Sequence, residues 1–271
     1  MWIDSHCHLN HERTADGDTP EAIVARAKFG GVDGMLSICC EIEREFPSLL
    51  KTVKALDNVW CSIGTHPHDA SIPAEKAVAL EKLIDLANSD DKIIGIGESG
   101  LDFFYNHSTP EDQEESFRKH IRACIATNLP LIVHARDADA DIMRVIRDEN
   151  ERAGARVRGV MHCFSSGPGL AENALAEGFY ISFSGIVTFK KSTELQAIAK
   201  TVPLDRLLVE TDAPFLAPEP YRGKTNEPNY VKYTGEFIAG ALNRDPAEIA
   251  RITKENFFNL FTRAKATWTA N

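Results

Sequence analysis

The sequence predicts a single-domain (β/α)8 barrel of the TIM type spanning residues 1–271, finished by a C-terminal helical extension. Three observations predict it. Eight short apolar runs are strung along the chain, each followed by a polar turn and a longer helical pattern. Several runs are nearly continuous in Val, Ile, Leu and Cys, as strands buried on both faces of a parallel sheet require. The polar residues that break these runs gather at their C-terminal ends, the face on which barrel enzymes build their sites. An open doubly wound sheet is the alternative reading.

The first run is Trp2–Cys7. Thr19-Pro20-Glu21 then opens a helix, with a hydroxyl cap, a proline at the first helical position and an acid in the first turn. Gly34–Cys39, Val59–Gly64 and Ile93–Glu98 are the next three strands. Thr109-Pro110-Glu111-Asp112 repeats the start signal for a helix reaching about Thr127. Leu131–His134, Gly159–Phe164, Phe179–Phe183 and Leu207–Thr211 complete the set. Beyond Leu216 the helical patterns form the closing extension, and Asp245-Pro246-Ala247-Glu248 opens a last helix carrying Ile249, Ile252, Phe257 and Leu260.

Composition narrows the function. Lys+Arg number 30 against 40 Asp+Glu, a net charge of −10, which argues against non-specific binding of duplex DNA but leaves room for a local basic site on an enzyme. The 43% hydrophobic content excludes a disordered chain. No run is long enough to cross a membrane. Met1-Trp2-Ile3-Asp4-Ser5-His6 lacks the basic and apolar regions of a signal peptide, so a cytoplasmic protein is expected, with no membrane association and no obligate protein partner. The six cysteines include no C-x-x-C pair and read as reduced core thiols.

The strand ends carry the chemistry. In His6-Cys7-His8 the period of two puts both imidazoles on one side of the strand and the thiol on the other. His66 follows the third strand, Glu98 ends the fourth, His134 the fifth and His162 the sixth, and Asp212 closes the eighth. Taken singly each has a plainer reading: a core histidine, a Glu paired with a buried Arg, a turn-forming Asp before Ala-Pro. Together, His6, His8, Glu98, His134, His162 and Asp212 are too many ligands for one tetrahedral zinc. They suit two divalent ions with a bridging carboxylate and open positions for water. Mixed His and carboxylate ligation admits Zn, Mn or Mg. Glu210 shares a side with Asp212 and is expected to anchor an Arg or Lys.

The motifs resemble those of the TatD family of metal-dependent deoxyribonucleases. They are Asp4-Ser5-His6-Cys7-His8-Leu9, Gly64-Thr65-His66-Pro67-His68, Gly97-Glu98-Ser99-Gly100-Leu101-Asp102, Val133-His134-Ala135-Arg136, His162-Cys163-Phe164-Ser165, Leu208 to Leu216, and Arg222 to Pro228. The resemblance covers essentially the whole chain, in order. It implies an amidohydrolase-type barrel in which His6, His8, Glu98, His134, His162 and Asp212 are metal ligands, Glu98 bridges, and Asp212 is also the general base. The implied activity is phosphodiester hydrolysis, often as a 3′ exonuclease on single-stranded DNA, with RNA a substrate of some members. Trp2, Ser165-Ser166-Gly167 and the acids at 137, 139 and 141 depart from the pattern but touch no implied ligand.

A phosphate substrate also calls for donors at the mouth. Arg136, Lys190, Lys191, Arg222 and Lys224 all follow strand ends and are expected to rim it. His66, Arg136, Ser165 and Arg222 are the expected phosphate contacts, with Glu98 and Asp212 as the catalytic pair. Phe103, Phe104 and Tyr105 follow Glu98 and can either stack a base or serve as core or lid residues. The alternative function is hydrolysis of an amide, ester or lactone in a small molecule by the same centre.

Overall fold

A computed structural model describes residues 1–14 and 18–269. Eight parallel strands, β1 (Trp2–Cys7), β2 (Val32–Ser37), β3 (Val59–Ile63), β4 (Ile93–Asp102), β5 (Leu131–Arg136), β6 (Gly159–Met161), β7 (Tyr180–Phe183) and β8 (Leu207–Val209), pair in sequence order. The circle closes where Cys7 bridges Ala213. The helices are α1 (Pro20–Phe29), α2 (Phe46–Lys54), α3 (Pro73–Lys76), α4 (Leu80–Ala87), α5 (Pro110–Thr127), α6 (Asp139–Ala153), α7 (Pro168–Ala176), α8 (Thr193–Ala199), α9 (Val231–Ala241), α10 (Pro246–Leu260) and α11 (Thr262–Ala266). The (β/α)8 barrel is as expected. Strand ends moved: β4 and β5 run beyond Glu98 and His134, whereas β6 stops one residue before His162.

Caps fix the helix starts. Thr19 and Thr109 accept N–H bonds from Ala22 and Asp112, and Asp245 accepts one from Ala247. α5 ends on Asn128 and α6 on Gly154, both left-handed. α10 is followed by α11, so it is not the last helix.

Strand alternation sorts the apolar residues into two layers. Met35, Val133, Ile181 and Val209 face the helices. Ile3, Leu36, Trp60, Ile94, Ile132, Val160, Tyr180 and Leu208, one from each strand, fill the barrel. Phe257, Leu260 and Phe261, from the end of α10 and the residue after it, join that inner layer and stopper the end of the barrel where the strands begin. Two apolar faces per strand are why the runs were continuous in sequence. Among the described residues no helix is long and apolar enough to cross a membrane.

Candidate metal centre

Glu98 is the hub of the opposite end. Its Oε1 lies 2.6 Å from His162 Nε2, 2.8 Å from His134 Nδ1 and 3.4 Å from His66 Nε2. Its Oε2 lies 3.3 Å from His6 Nε2. Asp212 Oδ1 is 3.4 Å from His8 Nε2 and 3.6 Å from His6 Nε2. The six expected ligands therefore converge from five strands and the turns after them. No buried Arg pairs with Glu98 among the described residues, which removes the plainer reading of that residue.

Local geometry explains the convergence. At Gly97 the backbone is left-handed, φ 127°, and a Cβ there would sit 2.4 Å from the Ile132 carbonyl oxygen. Glycine lets β4 lie close on β5, which sets Glu98 against His134. Asp212 has φ 58°, a conformation Asp tolerates better than most residues. Its N–H donates to His6 O at 2.9 Å, and the His8 N–H donates to Ala213 O at 2.8 Å. The bonds that close the barrel are thus the bonds that bring Asp212 to His6 and His8. Cys7 turns away into the outer apolar layer.

Two further carboxylates hold the imidazoles from behind. Glu210 Oε1 lies 3.2 Å from His162 Nδ1 and accepts the Cys163 N–H at 2.6 Å. This corrects the expectation that Glu210 anchors an Arg or Lys. Asp102 Oδ2 lies 3.1 Å from His134 Nε2 and 2.7 Å from His68 Nε2. A carboxylate on the far nitrogen of a ligating histidine fixes the tautomer and orientation of the ring. Asp102 was missed in the sequence, although its even spacing from Glu98 puts both on one side of a strand that continues.

The electrostatics follow from the crowding. Burial alone would raise the Glu98 carboxyl, but the imidazoles of His162, His66 and His134 hold it well below the usual carboxylate range. Burial opposes a charge on His162, yet Glu98 and Glu210 lift it well above its ordinary value. His66 is pushed down to about 4 by burial, against the pull of Glu98.

The donors fit a divalent cation. His6 is fully buried, and neither ring nitrogen has a hydrogen-bond partner. A buried imidazole left unpartnered beside two carboxylates is free to ligate a cation. Ligand atoms of His6, His8 and Asp212, of His6, Glu98 and His162, and of His66, Glu98 and His134 form groups within 4.8 Å of one another. The donors in these groups are imidazole nitrogen and carboxylate oxygen, as Zn, Mn or Mg accept.

The expected substrate contacts divide. The centre lies in a cleft of ≈ 1590 Å³ lined by His66, Arg136 and Ser165 among others. His66 faces Glu98; its Nδ1 accepts the His68 N–H at 3.1 Å, so its hydrogen is on Nε2, toward the carboxylate. Arg222 is not in the cleft lining, and its guanidinium lies 4.3 Å over the Phe189 ring. Lys190, Lys191 and Lys224 are exposed outside the lining as well. The segment after β8 is folded back on itself by Asn226, whose side chain donates to Thr211 O and Phe215 O and whose N–H donates to Pro214 O. Of the expected cations only Arg136 lines the cleft, joined there by Arg44, which is committed to Glu41. Glu41, Glu45, Asp69, Asp137 and Asp139 line the cleft instead. Phe103 packs against the core, whereas Phe104 and Tyr105 project.

Comparison with known proteins places this geometry. The family model for TatD related DNase matches residues 3–262. The uncharacterized metal-dependent hydrolase YabD of Bacillus subtilis (strain 168) is 38% identical, over 96% of this chain and 99% of the relative. The 3′-5′ ssDNA/RNA exonuclease TatD of Pectobacterium atrosepticum is 34% identical, over 90% of this chain and 94% of the relative. The crystal structure of YJJV, a TatD homolog from Escherichia coli K12, superposes with a TM-score of 0.86 at 25% identity, covering 96% of this chain and 98% of that one.

Proposed function

The chain belongs to the TatD-related DNase family of metal-dependent hydrolases, and from that premise we propose that it hydrolyses phosphodiester bonds of single-stranded DNA or RNA from the 3′ end. The observation that carries the proposal is the buried donor set around Glu98, completed by a cleft-lining Asp212 and an Arg136 at the cleft wall that is unpaired among the described residues. His6, His8 and Asp212 would hold one divalent ion, His134 and His162 a second, and Glu98 would be shared. Such ions, when bound, polarise the phosphoryl oxygens and make water acidic enough to attack at neutral pH.

The chain's own residues do the rest. Asp212 takes the proton of the attacking water as the phosphorus–oxygen bond to the leaving 3′ oxygen breaks. Its carboxyl is available as a base because, although burial would raise it, His8, His6 and His162 hold it low. Asp102 and Glu210 keep His134 and His162 in register. Arg136 offers forked N–H donors to a phosphate oxygen, and Ser165 lines the wall beside it.

One observation favours a second reading, hydrolysis of an amide, ester or lactone in a small molecule. The carboxylates lining the cleft outnumber its free cations, which does not suit a polyanion. Digestion of a 5′-labelled single-stranded oligonucleotide with Mg²⁺, Mn²⁺ or Zn²⁺, and with EDTA, separates the two. A metal-dependent ladder, absent from an Asp212→Asn variant, is expected. A metal-loaded protein that leaves the oligonucleotide intact would transfer the function to the second reading.

A further inference from the structure

The chemistry above leaves one exposed feature of the cleft unused. Large hydrophobic side chains at the surface are few, and two of them are neighbours here: Phe104 is 55% and Tyr105 49% exposed. Phe104 lines the cleft beside His134 and Arg136. The Phe104 and Tyr105 rings meet edge to face, with centroids 4.8 Å apart at 90°, and Tyr105 lies parallel to His107. The Arg136 guanidinium lies 4.2 Å over Phe104 and 4.7 Å over Tyr105. Arg136 makes no side-chain hydrogen bond or ion pair among the described residues, so its N–H edges are free while its face is occupied.

The segment is held in place. Asp102 Oδ1 accepts the N–H groups of Phe104 and Tyr105 at 3.1 and 2.9 Å, and Asn106 donates to Phe103 O at 2.8 Å. The other oxygen of Asp102 is the one that contacts His134. The aromatic pair is therefore positioned by the same carboxylate that orients a ligand of the centre. Exposed apolar area this fixed costs solvation and has no core to serve.

We propose that Phe104, Tyr105 and Arg136 form a platform for the terminal nucleotide, the Phe104 ring stacking its base, Tyr105 bracing that ring edge to face, and the guanidinium edge meeting its phosphate. The proposal rests on the phosphodiesterase reading and adds the selectivity within it. Every nucleobase has a stackable face, so the platform tolerates sequence. A base still paired at a duplex end is held by its partner strand and by the stack beneath it, and must give up both to reach the platform. An unpaired end is selected by stacking, with no read-out of base edges.

The test compares an oligonucleotide with an ordinary 3′ terminal base and one ending in a tetrahydrofuran abasic residue, using wild type and a Phe104→Ala/Tyr105→Ala variant. Wild type should prefer the base-bearing end by about 5- to 150-fold in kcat/KM, the range stacking on one base supplies. The variant should lose that preference, cleaving the base-bearing and abasic ends with equal kcat/KM. A variant that keeps the preference, or a wild type that shows none, overturns the platform. Binding gives an independent reading. 2-Aminopurine at the 3′ end should be quenched on binding the Asp212→Asn protein, and not when Phe104 and Tyr105 are also Ala. Quenching without cleavage by wild type would keep the platform and sink the phosphodiesterase reading; equal quenching by both proteins would sink the platform. An unchanged melting temperature for the double variant excludes misfolding.

Discussion

The two ends of this barrel are built on the same strands and solve opposite problems. At the closed end Ile94, Ile132, Val160 and Leu208 point inward and meet Phe257 and Phe261. A few residues further along the same segments, Glu98, His134, His162 and Asp212 point at one another. The apolar layer is stable because nothing in it needs water. The polar cluster is tolerable because each carboxylate is ringed by imidazoles. Stability is invested at one end, and the other end is free to be electrostatically demanding.

Three experiments sharpen or break that division. The largest effect belongs to the open end. Glu98→Ala should lose bound metal and lower kcat by at least about 10³-fold, since the shared carboxylate and its charge disappear together. A chelator should lower the melting temperature of wild type, because a ligand that binds only the folded state stabilises it by mass action, and should leave that of Glu98→Ala unchanged. Metal analysis and melting curves check this; full activity in a metal-free Glu98→Ala protein would dissolve the division.

The next effect belongs to the closed end. Phe257 is fully buried, so Phe257→Ala should cost about 3–5 kcal/mol in urea denaturation by removing its ring from the inner layer. Metal content per folded molecule should stay at the wild-type value. A loss of metal at unchanged stability would mean the ends are not separable.

The smallest effect asks whether a buried histidine must belong to the centre. His120 does not: its Nε2 accepts the Thr65 N–H at 3.0 Å and its Nδ1–H donates to Ser116 O at 2.7 Å. Burial pushes it down to about 4 from an ordinary 6.5. Above pH 6.5 it is neutral in both folded and unfolded chains, and its full contribution is present. As pH falls toward 4 the unfolded chain takes up a proton that the folded one refuses, and about 3 kcal/mol is lost across that window. His120→Gln should flatten that part of the stability profile relative to wild type. Superimposable profiles would show that His120 is not kept neutral.

The architecture was legible because a strand buried on both faces cannot disguise itself, and because acids and imidazoles at the ends of such strands are conspicuous. His6, His8, Glu98, His134, His162 and Asp212 could be placed on one face by the periodicity of β-strands and the geometry of a barrel. What sequence could not give was where backbone turns aside. Asp102 was hidden because β4 continues past Glu98. Glu210 was given the wrong partner because β6 stops early and swings His162 and the Cys163 N–H onto it. Nor do the neighbours of Arg222 announce that its guanidinium lies over Phe189 in a loop pinned by Asn226.

The stopper made by Phe257 and Phe261 has a consequence for traffic. With the interior filled behind the reactive groups, the centre sits at the floor of a blind well and not in a passage. Whatever substrate enters must do so from the cleft side, and its fragments must depart through the same doorway. Arrival and departure therefore compete for one opening, and a released fragment should act as a competitive inhibitor of the next molecule in.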